Sequence, residues 1–225
     1  DYRGKRLDYN KIHQFKNQDI LELGCGNGSI SFACIKRGAK SATCVDFGKK
    51  NIQAVKYWAQ KMNYSNKMNF ICKDILKFNT KKRFNFIICS AVLHHLKNYN
   101  EILKVSKIII NILNKGGHYY FYIEGKDGIR NDIQNFCQKN LINIDPNEIK
   151  NILLGMNFNR NKLTHLLDWH KAIYIQTNPK KIIKDLARLG FENFVRLKGP
   201  HLNDLDINQI KTFYRSLGFY FVKID

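Results

Sequence analysis

Proline is nearly absent from this chain of 225 residues, with only Pro146, Pro179 and Pro200. No Pro/Gly/Ser-rich linker and no internal repeat divides the sequence, so 1–225 reads as a single domain. Long apolar runs are missing as well. None reaches the ~20 residues that a membrane-spanning helix needs, so no membrane partner is expected. The start, Asp1-Tyr2-Arg3-Gly4-Lys5-Arg6, lacks the apolar centre of a secretory leader. The six cysteines, Cys25, Cys34, Cys44, Cys72, Cys89 and Cys137, form no C-x-x-C pair and no Cys/His cluster with zinc spacing. No metal site is expected. Cys44, Cys72 and Cys89 stand in apolar runs and read as small buried hydrophobes of a reducing, cytoplasmic protein.

Acidic residues are also scarce, 18 against 38 Lys and Arg, for a net charge of +20. Two readings stay open. A basic surface of this kind suits a polyanion, with RNA as the partner. Alternatively the excess is a solvated lysine-rich surface. It is mostly Lys, not the Arg whose planar fork grips phosphate at two points. It is also spread along the chain, and its densest run is only Lys81-Lys82-Arg83.

The first half alternates strand and helix signals, the pattern of a parallel α/β sheet. Strands are expected at Asp19 to Leu23, Ser41 to Val45, Asn69 to Cys72, Phe84 to Cys89 and His118 to Ile123. Helices are expected at Ser29 to Arg37, Lys49 to Met62 and Tyr99 to Leu113. The second helix carries Ile52, Val55, Ala59 and Met62 at helical spacing. Lys115-Gly116-Gly117 reads as a turn. Beyond Gly125 the rhythm breaks. Ile129 to Gln138 and Pro146 to Leu154 are helical stretches with no clear strand between them. A helix over Pro179 to Leu189 and strands at Phe191 to Leu197 and Phe219 to Ile224 close the pattern. The expected fold is α/β, a doubly wound, seven-stranded, mostly parallel sheet. A helical insertion over 125–175, before strand six, is expected to act as a lid on the substrate.

One segment carries most of the chemistry: Leu21-Glu22-Leu23-Gly24-Cys25-Gly26-Asn27-Gly28. A strand that runs into alternate glycines and then a helix brings backbone N–H groups close to a ligand. Only glycine turns that tightly. The spacing is G-x-G-x-G rather than the G-x-G-x-x-G of dinucleotide sites. Asp46 ends the second strand, about 20 residues after the loop, where a carboxylate can hold ribose hydroxyls. Phe47 follows, placed to lie on an adenine face. Asp74 ends the third strand, placed to accept from an adenine amino group. Each Asp alone reads as easily as a strand-end turn residue. All lie at carboxyl ends of consecutive strands, where open α/β sheets bind ligands.

From Leu21 to Gly117 the chain resembles the class I S-adenosylmethionine-dependent methyltransferases. It is most similar to small-molecule enzymes with a "vLHH" segment after strand four, here Ser90-Ala91-Val92-Leu93-His94-His95. Asn114-Lys115-Gly116-Gly117 resembles the family's "LkpGG" turn, without its proline. The resemblance implies a Rossmann-like fold with S-adenosylmethionine as methyl donor. It implies that Glu22, Gly24, Cys25, Gly26 and Gly28 surround the methionine end. It puts Asp46 on the ribose, Asp74 with Ile75 on adenine, and Ser90 and Ala91 on the sulfonium side. The [D/N/S]-P-P-[Y/F/W] loop of base N-methyltransferases is absent after strand four, and Cys89 has no proline beside it. Base methylation by those routes is not expected.

A hydroxyl or amine acceptor needs a proton removed, and a histidine suits that. His94 and His95 are the candidates, His95 first; the other reading has both shaping the pocket. His165, Asp168, Trp169 and His170 in the insertion are candidate acceptor contacts, or an amphipathic helix packing inward. Tyr119, Tyr120, Phe121 and Tyr122 read as strand core. Tyr2 and Arg3 are placed to fold over the cofactor. The expected activity is methyl transfer to O or N of a small metabolite or biosynthetic intermediate. RNA or protein methylation on the basic surface is the first alternative. A non-catalytic S-adenosylmethionine-binding partner subunit is the second.

Overall fold

The computed structural model describes residues 2–125, 129–159, 163, 167, 174–197 and 218–223. The strands are β1 (Asp19–Leu23), β2 (Ser41–Asp46), β3 (Met68–Cys72), β4 (Phe84–Ser90), β5 (Leu113–Ile123), β6 (Glu192–Leu197) and β7 (Gly218–Lys223). They form one sheet in the order β3-β2-β1-β4-β5-β7-β6. The first five are parallel. β7 runs antiparallel to both β5 and β6. The architecture is an α/β Rossmann-like fold.

Central parallel strands must hide both faces, and side chains alternate between them. Ile87, Cys89, Tyr119 and Phe121 point to one core, which packs under α4 (Tyr99–Ile112) and α7 (Pro179–Arg188). Phe86, Ile88, Tyr120 and Tyr122 point to the other, under α1 (Tyr2–Tyr9), α2 (Ser29–Lys36) and α3 (Lys49–Lys61). The helix starts are capped from sequence: Asn98 accepts from Glu101 N at 3.1 Å, and Asn178 accepts from Lys180 N at 2.9 Å with Pro179 in the first helical turn. Two further helices, α5 (Ile129–Leu141) and α6 (Pro146–Gly155), follow β5.

The chain enters the sheet at β1, winds out to β3, then returns to place β4 on the other side of β1. The order reverses between β1 and β4, and a crevice opens past their carboxyl ends. The glycine loop and the Ser90–His95 segment meet there.

Three local expectations need correction. The Lys115-Gly116-Gly117 turn lies inside β5: Leu113 pairs with Phe84, then the register jumps to His118 opposite Phe86. Residues 114–117 bulge from the ladder, with Gly116 at φ +68°. Met62 is 47% exposed; it caps α3, whose buried contacts are Val55 and Ala59. Cys72 is exposed, because β3 is the edge strand and its last residue faces outward. No helix among the described residues is long and apolar enough to cross a membrane.

Candidate functional site

The loop after β1 holds three left-handed glycines, Gly24, Gly26 and Gly28, at φ +68°, +51° and +72°. Gly24 N and Cys25 N both donate to Val45 O, at 2.8 and 3.0 Å, which ties the loop to β2. The glycines differ in what surrounds them. A Cβ on Gly24 would meet Val92 Cγ2 at 2.3 Å, and one on Gly28 would meet Val55 Cγ1 at 2.8 Å. At Gly26 a Cβ would meet nothing within 4 Å. Gly24 therefore lets two loops touch, whereas Gly26 turns bare backbone toward open space. Cys25 is buried, and a hydrogen bond with Cys44 together with burial raises its thiol well above the ordinary range. It is a packing residue rather than a nucleophile.

Asp46 is buried and accepts three N–H bonds: Gly26 N at 2.9 Å on Oδ2, and Gly48 N at 2.8 Å and Asn51 Nδ2 at 3.0 Å on Oδ1. It joins the glycine loop to the start of α3. A carboxylate has about four lone-pair sites, so Oδ2 keeps capacity for a ligand hydroxyl. Phe47 beside it is 81% exposed, an uncovered flat apolar face. Asp74 lies exposed at the next strand end, where Oδ1 accepts from Leu76 N at 2.8 Å and caps the turn Ile75–Lys77; Ile75 is buried.

Glu22 is turned under the loop. Its Oε2 accepts from Ser31 N at 3.0 Å and Ser31 Oγ at 2.5 Å, in the first turn of α2. Burial raises its pKa to about 7, only partly offset by the Ser31 bonds and by the charge of Arg3. The charge of Arg3 in α1 thus reaches Glu22 beneath the loop; the side chain of Tyr2 is outside the described residues. Tyr119, Tyr120, Phe121 and Tyr122 are buried in β5.

Across the crevice, Ser90 Oγ is buried without a hydrogen-bond partner among the described residues. Ala91 sits at φ +61°, a conformation that strains a residue carrying a Cβ. Its N–H reaches Tyr122 O at 3.3 Å. His94 is buried, and its Nδ1 accepts from Glu124 N at 3.2 Å. Accepting there puts the proton of a neutral imidazole on Nε2. His95 is exposed. The ring of Tyr174 lies 5.2 Å from that of His94 and 4.9 Å from that of His95.

Three residues of this corner were not among the candidates: Tyr122, Glu124 and Tyr174. Glu124 is 1% exposed and its Oε1 accepts from Tyr122 Oη at 3.0 Å. Its carbonyl accepts from Thr177 Oγ1 at 2.7 Å and Thr177 N at 3.1 Å. The signal for Glu124 was present, since it ends β5 as Asp46 ends β2. Tyr174 had none. His165, Asp168, Trp169 and His170 lie outside the described residues. No group of three metal-ligating side chains occurs among the described ones.

The open face at Gly26, the uncovered Phe47, the spare capacity of Asp46 and the orphaned Ser90 Oγ fit a nucleoside with an extended polar tail. Residues 14–168 match the family model described as a methyltransferase domain. The chain is 26% identical over 193 residues to a ubiquinone biosynthesis O-methyltransferase of Rickettsia typhi, covering 76% of each. It is 30% identical over 164 residues to one of Pelagibacter ubique, covering 64% of this chain and 67% of that one. Among solved structures, magnesium protoporphyrin IX methyltransferase of Synechocystis PCC 6803 with bound SAH superposes with a TM-score of 0.61 at 15% identity, over 99% of this chain and 80% of that one.

Proposed function

Since the chain belongs to the methyltransferase-domain family, as a class I S-adenosylmethionine-dependent methyltransferase, we propose that it methylates an oxygen or nitrogen of a small-molecule metabolite or biosynthetic intermediate. The observation that carries this reading is the corner past β4 and β5, where aromatic rings close in on the two histidines. His94 and Glu124 there are almost inaccessible and ringed by Tyr122 and Tyr174. A polymer substrate needs an open groove. The relatives named for ubiquinone biosynthesis support an acceptor of low molecular weight.

S-adenosylmethionine supplies a methyl group already activated on a cationic sulfonium, so the protein's part is alignment, exclusion of water and removal of a proton. Gly24, Cys25, Gly26 and Gly28, shaped from below by Glu22, would receive the methionine end. Asp46 would take the ribose hydroxyls. Phe47, Asp74 and Ile75 would frame the adenine, and Ser90 and Ala91 would line the sulfonium side. The 125–175 segment, with α5 and α6, would cover the acceptor, and His165, Asp168, Trp169 and His170 would contact it.

The tautomer of His94 supports His95 as the base. His94 Nε2 already carries its proton while Nδ1 accepts from the backbone, whereas His95 stands at the exposed rim. His95→Ala is expected to lower kcat about a hundredfold with affinity for S-adenosylhomocysteine unchanged. His94→Ala is expected to lose stability and raise the acceptor KM. Full activity in both variants removes the base assignment.

A second reading rests on the outer surface beside α3. Residues 47–73 carry Lys49, Lys50, Lys56, Lys61, Lys67 and Lys73 with no Asp or Glu. Tyr57 and Trp58 are about half exposed there, as aromatic platforms for bases would be. RNA affinity measured against salt decides it. A steep log–log slope, near 0.7 per phosphate contact for single strands, favours RNA. Weak binding at all salt concentrations leaves the small molecule.

A further inference from the structure

Helix α5 buries two amide side chains on its inward face. An amphipathic helix packing on a domain buries an apolar stripe. The inward residues of α5 include Asn131 and Gln134 alongside Cys137, while Phe136 is 62% exposed. The polar stripe lies against the acceptor corner. Asn131 Nδ2 donates to Gly125 O at 3.0 Å, one residue past Glu124, and Asn135 Oδ1 accepts from Gln176 Nε2 at 3.1 Å. Gln134 is one turn along from Asn131 on the same face. It is 1% exposed, and neither its amide oxygen nor its amide nitrogen has a hydrogen-bond partner among the described residues.

A buried amide left without partners is costly, and such groups persist where function needs them. We propose that Gln134 is a specificity-determining residue of the acceptor site, reading a neutral group that both donates and accepts hydrogen bonds, namely a hydroxyl or a carboxamide. The primary amide presents one acceptor and two donors side by side. An ammonium group offers only donors and a carboxylate only acceptors, so either satisfies half of it. Asn131, one turn from Gln134, bonds the residue that follows Glu124, and at that strand end the rings of Tyr122 and Tyr174 flank His94. This inference rests on the small-molecule reading and deepens it.

The test is Gln134→Met, which keeps length and volume and removes both polar atoms. The probes are S-adenosylhomocysteine, for the donor site, and labelled methyl transfer to a panel of hydroxyl compounds, carboxamides, amines and carboxylates. In the absence of acceptor the variant is expected to melt roughly 2–6 °C higher, because an unsatisfied group has gone. Its affinity for S-adenosylhomocysteine is expected to be unchanged. Its KM for the best hydroxyl or carboxamide acceptor is expected to rise tenfold or more, with a smaller change in kcat. Gln134→Glu, which keeps the shape, is expected to raise KM without the gain in melting temperature. A lower melting temperature for Gln134→Met, or an unchanged KM in both variants, overturns the assignment. Wild-type preference for amines or carboxylates overturns the neutral-group class. A wild type that binds S-adenosylhomocysteine and methylates nothing in the panel overturns the small-molecule reading, and this inference with it.

Discussion

Gly24→Ala is expected to lose a large part of the stability of the fold, while Gly26→Ala keeps most of it and loses the methyl donor. Both glycines are left-handed, so each new Cβ costs roughly 1–2 kcal/mol of backbone strain. The surroundings then separate them. At Gly24 the methyl group would sit 2.3 Å from Val92 Cγ2 and 2.7 Å from Cγ1. Neither side can retreat cheaply. Gly24 N and Cys25 N are both fixed to Val45 O. Val92 follows Ala91, which is itself left-handed at φ +61°. Overpacking adds about 1–3 kcal/mol, so the total, roughly 2–5 kcal/mol, is a large part of the ~5–15 kcal/mol that holds a domain together. At Gly26 there is no clash, and only the strain remains. The melting temperature should fall by a few degrees. The new methyl group, however, occupies the space into which the loop backbone opens. Affinity for S-adenosylmethionine, measured by calorimetry, should drop a hundredfold or more. Normal affinity in folded Gly26→Ala would mean that the loop does not cradle the cofactor.

The difference between those two glycines marks what the sequence could and could not convey. The strand, the alternate glycines and the following helix are local features, and their spacing is legible without a structure. So are acids at the carboxyl end of a strand, as Asp46 and Asp74 are. Glu124 follows the same rule, but the end of β5 opens a stretch without strand rhythm, and its partners lie far away. Thr177 is 53 residues on, and His94 30 residues back. Tyr174 reaches the histidines only through tertiary folding. The amide side chains that α5 buries were hidden for a different reason. Helical spacing fixes which residues share a face, but not which face turns inward when the buried stripe is polar. Cys72 shows the same limit in a strand, since an apolar run does not say which strand becomes the edge.

Glu22, whose Oε2 is held by Ser31, should dominate the response of stability to pH. Its carboxyl is buried beneath α2, with a folded pKa of about 7 against an ordinary value of 4.5. Desolvation is the chief cause, and the nearby Asp46 charge adds to it. A raised carboxyl pKa means that the native protein keeps its proton over a range where the unfolded chain has released it. Stability from this group is therefore fully present below about pH 4.5 and falls as the pH rises toward 7. At ~1.4 kcal/mol per pH unit the loss across that window is about 3 kcal/mol. Asp8, held down by its bond to Arg37, and Asp19, held down by Ser41, act in the opposite sense. Their contributions disappear only at more acid pH, below this window. Glu22→Gln keeps an oxygen that can accept from Ser31 N and cannot ionise. It should match the wild type near pH 4.5 and exceed it by about 3 kcal/mol at pH 8. Urea unfolding of both proteins from pH 4.5 to 8 measures the difference. Parallel curves across that range would show that Glu22 is ionised throughout, and that Ser31 and the start of α2 stabilise its charge more strongly than burial opposes it.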